Sequence, residues 1–226
     1  PVLESNRRHE DGGIKLFEQG RIYLPKPTDL PEEREILCGL LSGPRLEQSW
    51  RGDGGSVDFF DAKGVVESLL TRLGVDAIFE PGKDSGLHPD KQAAIVVSGN
   101  RLGVVGELHP KVQSAFDLTE PVYLFEIDLS ALLPFTGGHK MFQPISRFPS
   151  VVRDIALVVD VGVTHQQVQA VITGFPLVVQ VSIFDVYSGA QVPRGKKSLA
   201  YRITYQSLTQ TLTDEEVDHV QQQILD

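Results

Sequence analysis

The chain has 226 residues with a net charge of −9, and its 41% hydrophobic and 23% charged residues are typical of globular domains. A single cysteine, Cys38, excludes an internal disulfide and a cysteine-ligated zinc site, and no apolar run approaches the ~20 residues that a membrane-spanning helix needs. The acidic balance argues against a general nucleic-acid binder, although a basic cluster can exist locally on an acidic protein.

The first part of the chain predicts a mixed domain with an antiparallel sheet. Apolar residues at three- and four-residue steps over 57–73 predict a helix that ends at Gly74. The Gly99-Asn100 pair between two apolar runs predicts a hairpin, and Pro110 favours the start of a short helix over 110–116. Residues 14–24 predict a strand pair or one long strand, and further strands are predicted over 35–41, 93–98, 102–108 and 122–129, with the strand at 35–41 buried on both faces.

The Gly-Gly-His-Lys segment at 137–140 predicts a linker, which divides the chain into domains 1–138 and 139–226. The second domain has the order β-α-β-β-α, with strands over 152–159, 178–187 and 198–206. Thr164 and Thr213 are the expected N-caps of the two helices, and Glu216 completes a capping box with Thr213.

A split β-α-β fold ends in a fourth strand, but the sequence stops at Asp226 straight after the second helix. Pro1 is not a natural translation start, so we expect an excised fragment. Either the fragment is truncated before its last strand or that strand was lost, and an open sheet edge is expected. The N-terminus lacks an apolar signal core, so we expect a cytoplasmic protein.

Several segments carry a family resemblance. Residues 146–159, 184–187, 197–202 and 211–216 resemble, in order and spacing, the ferredoxin-fold anticodon-binding domain of bacterial phenylalanine–tRNA ligase beta subunits. Residues 14–24, 103–110 and 123–129 resemble the catalytic-like domain of the same subunits. The resemblance implies an α+β chain in which an inactive class II synthetase-like antiparallel-sheet domain precedes a ferredoxin-like βαββα(β) domain.

The residues that class II activation chemistry requires are missing from the resembling segments. The second class motif reads aromatic-Arg-x-Glu, and Leu16 stands in the arginine position. The third motif is glycine-rich and ends in arginine, whereas Gly103–Glu107 is followed by Leu108. Without a guanidinium on the ATP phosphate the transition state loses charge stabilisation, so we expect no catalytic residue in this chain. The spacing of its histidines fits no zinc site.

In the family, anticodon contacts come from the ferredoxin-like sheet. The resemblance places them at Ala156, Asp185, Tyr187 and Ser198, with Tyr187 stacking on a base and Asp185 and Ser198 hydrogen-bonding to base edges. Alternation along the strands turns small and polar residues outward, where a flat base can lie. These outward residues are Asp154, Ala156, Val158, Ser198, Ala200, Arg202 and Thr204.

One conflict arises on the strand at 178–187. Asp185 and Tyr187 alternate in step with Val181 and Ile183, which are expected to face the helices. A bulge, or projection of the strand beyond the helices, must reconcile them. Phe184 is the alternative stacking residue.

A basic cluster at Arg194, Lys196, Lys197 and Arg202 is expected to bind RNA phosphate. The other interpretation is that the lysines only keep a surface turn soluble.

The resemblance implies an enzyme that joins phenylalanine to tRNA(Phe) with ATP and Mg²⁺. Its partner would be an alpha subunit that holds the active site in an alpha2beta2 heterotetramer. No cofactor is expected in this part of the beta subunit. The alternatives are an amino-acid-binding regulatory module of ferredoxin-like fold and a purely structural interaction domain.

Overall fold

The computed structural model describes residues 2–9, 12–46, 54–137 and 145–225. The chain divides into two compact units, Pro1–Met141 and Phe142–Asp226. The boundary predicted at residue 138 lies outside the described residues. Among those residues, no helix has the length and apolar character needed to cross a membrane.

The first unit is a six-stranded antiparallel sheet in the order β1-β2-β6-β5-β4-β3. Its strands are β1 Ile14–Leu24, β2 Glu32–Ser42, β3 Ile78–Pro81, β4 Leu87–Val97, β5 Asn100–Leu108 and β6 Val122–Asp128. Its helices are α1 Val2–Arg7, α2 Phe59–Leu73, α3 Pro110–Ala115 and α4 Leu129–Leu132, followed by a 3-10 turn at Leu133–Phe135.

Helix α2 packs on the sheet through residues spaced four apart, Ala62, Val66 and Leu70, which one face of a helix brings together. Asp58 caps its first turn through hydrogen bonds from the backbone N–H groups of Phe60 and Asp61. It ends where predicted, at Gly74 with φ 72°, a conformation that glycine adopts without strain.

The sequence missed α1, β3 and α4, each of six residues or fewer and so too short for a clear period. The expectation that the second strand is buried on both faces was wrong. Most residues of β2 from Glu32 to Leu40 are only half-buried. The reason is that the long helix α2 packs against β5 and β6, whereas β2 lies further towards the edge of the sheet, next to β1.

Leu16 and Leu108, the two residues that replace arginines of the class motifs, pack into the same apolar cluster. Its buried members are Leu3, Ile14 and Val122. Gly103 in the glycine-rich segment lies where β5 approaches β6 closely. A Cβ there would stand 2.1 Å from the backbone oxygen of Glu126. That glycine therefore serves strand packing.

The second unit contains β7 Val151–Asp160, α5 His165–Thr173, β8 Val178–Tyr187, β9 Lys196–Tyr205 and α6 Asp214–Leu225. The antiparallel sheet has the order β7-β9-β8, so the third strand lies between the other two. In the described part of the chain, β7 pairs with β9 alone. This topology is ferredoxin-like with one strand fewer than the complete motif.

Both helices of this unit begin at the predicted caps. Thr164 and Gln167 form a capping box at α5, and Thr213 and Glu216 form one at α6. The helices cover one face of the sheet, because Ile172 of α5 and Val217 of α6 are buried in a common core. The strands contribute to that core Ile155, Val181, Leu199, Tyr201, Ile203 and Tyr205.

Candidate nucleic-acid interface

The face of the second sheet turned away from α5 and α6, here called the outward face, carries the small and polar residues predicted for it. On β7, Asp154, Ala156 and Val158 are exposed and alternate with the core residue Ile155. On β9, Ser198 and Ala200 are half-buried beside fully buried Leu199 and Tyr201. The inward and outward sets of these two strands are confirmed.

A bulge in β8 resolves the conflict over Asp185 and Tyr187. Ile183 pairs with Tyr201, yet Asp185 pairs with Ala200, so two steps on β8 match one step on β9. Phe184 is the extra residue. Since one added residue moves every later side chain to the other face, Asp185 and Tyr187 leave the helix side and join the outward face.

Strand register then brings all four predicted anticodon residues together, because side chains directly opposite in antiparallel strands share a face. Asp185, Ala200 and Ala156 form one row across β8, β9 and β7. Tyr187, Ser198 and Val158 form the next row. Ala156 and Ala200 have short side chains, so the part of the outward face beside the Tyr187 ring is low and flat.

Tyr187 is 42% exposed and lies over Gly189, which follows the strand. A Cβ on Gly189 would stand 2.0 Å from the Tyr187 hydroxyl oxygen. The ring can occupy this position only because residue 189 has no side chain. Nothing in the sequence pattern pointed to Gly189, since the contact depends on how the chain folds back after β8.

Arg202 is held by two other residues of the outward face. Its Nε and Nη2 donate hydrogen bonds of 2.8 and 2.7 Å to the two carboxylate oxygens of Asp154, the residue directly opposite on β7. The guanidinium also lies 5.4 Å from the ring centroid of Phe184. The hydrogen bond and charge of Arg202 hold the pKa of Asp154 below its ordinary value.

The four basic residues predicted to bind phosphate do not form one patch. Arg202 lies six residues from Lys196 along β9, about 20 Å of strand. Lys196 faces Asp160, with 3.5 Å between Nζ and a carboxylate oxygen. Lys197 is on the side of β9 that carries Leu199, and Arg194 is exposed in the turn before the strand.

A metal site would require a group of ligand side chains that lie close together. Across ranges 2–9, 12–46, 54–137 and 145–225, no group of three or more His, Cys, Asp or Glu side chains is arranged to hold a metal ion.

Comparison with known proteins places both units. Residues 1–129 match the family described as "Phenylalanyl tRNA synthetase beta chain CLM domain", and residues 146–226 match "Ferredoxin-fold anticodon binding domain". A phenylalanine–tRNA ligase beta subunit from Dehalococcoides mccartyi is 48% identical over 223 residues, covering 99% of this chain and 28% of the relative.

Two further relatives of the same name come from other bacteria. The one from Geobacillus kaustophilus is 43% identical over 97% of this chain, and the one from Halalkalibacterium halodurans is 41% identical over 99% of it. Each alignment covers 28% of the relative. The chain therefore spans little more than a quarter of the length of the curated relatives that it matches.

Proposed function

The chain belongs to the family of phenylalanyl-tRNA synthetase beta chains, and from that premise we propose that its second unit binds the anticodon of tRNA(Phe) on the outward face. The observation that carries the proposal is the bulge at Phe184. It turns Asp185 and Tyr187 to the same face as Ala156 and Ser198, which lie on two other strands.

The chemistry of this face suits unpaired bases. An exposed tyrosine ring supplies a stacking surface, and base stacking on an aromatic side chain contributes about 1–3 kcal/mol per base. The Asp185 carboxylate accepts hydrogen bonds and the Ser198 hydroxyl both donates and accepts them, so the pair can discriminate base edges. Ala156 and Ala200 leave room for a base to lie flat on the strands.

The charge arrangement separates base contacts from phosphate contacts. On the outward face Asp154 neutralises Arg202, so the centre of the sheet offers little attraction to phosphate. Arg194, Lys196 and Lys197 lie at the end of the sheet where the chain passes from β8 to β9, and there they are available to the RNA backbone. Lys196 must first release Asp160, whose carboxylate oxygen lies 3.5 Å from its Nζ. We propose these three as phosphate contacts.

The first unit is proposed to be a scaffold without catalysis of its own. Leucine at positions 16 and 108 offers neither charge nor hydrogen-bond donor, and both side chains pack into an apolar cluster. These positions do not fit a nucleotide phosphate, so no activation step is assigned to this chain. We propose that ATP and Mg²⁺ act at a separate alpha subunit, in an alpha2beta2 assembly located in the cytoplasm.

The amino-acid-binding alternative requires space between the helices and the sheet. In the second unit that region is occupied by side chains of 2% exposure or less, among them Tyr201, Tyr205 and Ile203. This packing supports RNA binding on the opposite face over ligand binding within the unit.

The test uses the whole ligase, assembled from an alpha subunit and the full-length beta subunit. Filter binding of tRNA(Phe) is compared with binding of a transcript whose anticodon is replaced. Tyr187→Ala should weaken cognate binding by about 5- to 150-fold, the factor that 1–3 kcal/mol represents, while Tyr187→Phe keeps the ring and should stay close to the parent.

Val171→Ala is the matched control, because Val171 is 62% exposed on α5, behind the sheet. It should bind both transcripts as the parent does. If Tyr187→Ala and Val171→Ala behave alike, the outward face is not the anticodon site.

A further inference from the structure

The outward face has a second flat surface, distinct from Tyr187. Phe184 is 55% exposed, and the Arg202 guanidinium lies over its ring, with 5.4 Å between Cζ and the ring centroid. Asp154 fixes the guanidinium plane through a pair of hydrogen bonds, 2.8 and 2.7 Å long. Two such bonds in a fork define an orientation that a single contact does not.

The pairing of Arg202 with Asp154 argues against a role for Arg202 in binding phosphate. Asp154 already takes two of the five guanidinium N–H donors, in the forked arrangement that a phosphate would use, and its negative charge opposes a phosphate nearby. Stacking uses the flat face of the guanidinium, which the hydrogen bonds along its edge to Asp154 leave open. Phenyl rings and guanidinium planes are both surfaces on which RNA bases stack.

We propose that Phe184 and Arg202, positioned by Asp154, form a second base-stacking surface that binds one unpaired nucleobase of the anticodon loop. The proposal rests on the anticodon-binding function above. Phe184 and Tyr187 are three residues apart on β8, which is about 10 Å along the strand. That distance is about three times the rise between successive stacked bases. The two surfaces therefore take different nucleotides.

The bulge explains why this surface exists. A regular strand would alternate Phe184 with Asp185 on opposite sides of the sheet. With Phe184 as the extra residue, its ring contacts Arg202 on the outward face while Asp185 still pairs across to Ala200 on that face. The one inserted residue therefore supplies the Phe184 ring and also moves the Tyr187 side chain to the outward face.

The experiment uses the whole ligase and tRNA(Phe) transcripts that each lack one base of the anticodon loop at an abasic position. Phe184→Ala should weaken binding of intact tRNA(Phe) by about 5- to 150-fold, and Phe184→Tyr should stay within about twofold. One abasic position should cost the parent affinity and cost Phe184→Ala nothing further. That position should differ from the one that loses its effect in Tyr187→Ala.

Arg202→Lys and Asp154→Ala separate stacking from phosphate binding without removing the ring. Stacking predicts weaker binding by both variants with the salt slope of the parent, since lysine has no plane and the freed arginine has no fixed one. Phosphate binding predicts that Arg202→Lys binds nearly as the parent does. It also predicts that Asp154→Ala binds as tightly or more so, with a salt slope steeper by about 0.7.

The pattern expected for phosphate binding by Arg202 would overturn the proposal. The proposal would also be overturned if Phe184→Ala coupled to no abasic position, or to the same position as Tyr187→Ala. In both of these cases anticodon binding through Tyr187 would stand. If neither Phe184 nor Tyr187 couples to any base of the loop, the proposed function itself fails along with this inference.

Discussion

The side chains of His165 and Tyr201 interact in two ways, through ring stacking and through a hydrogen bond. Their rings stack with centroids 5.5 Å apart, and His165 Nδ1 lies 3.1 Å from the Tyr201 hydroxyl oxygen. Tyr205, two residues further along β9, contrasts with this pair. Its hydroxyl oxygen is buried and has no hydrogen-bond partner among the described residues.

The contrast predicts opposite effects of removing the two hydroxyl groups. Tyr201→Phe should lower the free energy of unfolding of this chain by about 0.5–1.5 kcal/mol, the net contribution of one hydrogen bond. Tyr205→Phe should leave it unchanged or raise it by up to about 1–3 kcal/mol, because an unsatisfied buried polar group is removed. Urea unfolding measures both, each serving as the other's control. Equal losses in both variants would contradict the assignment.

Alkaline pH should destabilise the first unit through Tyr123. Burial, with the hydrogen bond and negative charge of Glu107, raises the pKa of Tyr123 to about 12 from its ordinary value near 10. The neutral phenol is favoured when folded, so its contribution is complete below about pH 10 and is lost as pH rises towards 12. Unfolding followed between pH 9 and 12 should show less pH dependence in Tyr123→Phe than in the parent.

This chain alone should form no phenylalanyl-adenylate, because the positions where the class places arginines hold Leu16 and Leu108. Pyrophosphate exchange with phenylalanine, ATP and Mg²⁺ should stay at background for the purified chain. The assembled ligase is the positive control. Exchange above background by the chain would show a catalytic site that the packing of these leucines does not suggest.

Lys196 and Lys197 should contribute to RNA affinity without contributing to base preference. Each phosphate contact to single-stranded nucleic acid adds about −0.7 to the slope of log affinity against log salt. Alanine at both positions should flatten the slope of tRNA binding by roughly one unit or more, with preference for the phenylalanine anticodon kept. An unchanged slope would mean that the lysines only solubilise the turn.

Gly189→Ala should act on RNA through Tyr187. The added Cβ would stand 2.0 Å from the Tyr187 hydroxyl oxygen, so the ring must move away. We expect weaker cognate tRNA binding by the whole ligase, in the same direction as Tyr187→Ala. In a Tyr187→Ala background the substitution should have little further effect, since the clashing atom is gone. Additive losses would place the effect of Gly189 elsewhere.

Much of the second unit could be predicted because its signals are local. Thr164 and Thr213 cap helices with side chains that act within three residues. The alternation of Leu199 and Tyr201 with Ala200 and Arg202 fixed the two faces of β9 before any pairing was known. The same reasoning required either a bulge near Asp185 or projection of the strand beyond the helices, and the register contains a bulge.

The pairing of side chains across strands could not be predicted. Asp154 meets Arg202 only because β7 and β9 align at that register, and alternation alone is compatible with other registers. The separation of Arg202 from the other three predicted phosphate contacts could not be predicted either, because it depends on the pairing of Arg202 with Asp154 across the strands.

The apolar cluster around Leu16 and Leu108 limits what a single substitution could add to the first unit. Both leucines are half-buried and pack with Leu3, Ile14 and Val122. An arginine at either position would lose those apolar contacts and would have to extend its guanidinium towards solvent. One class-motif arginine placed here would therefore weaken the packing without creating a nucleotide site, because the second arginine would still be missing.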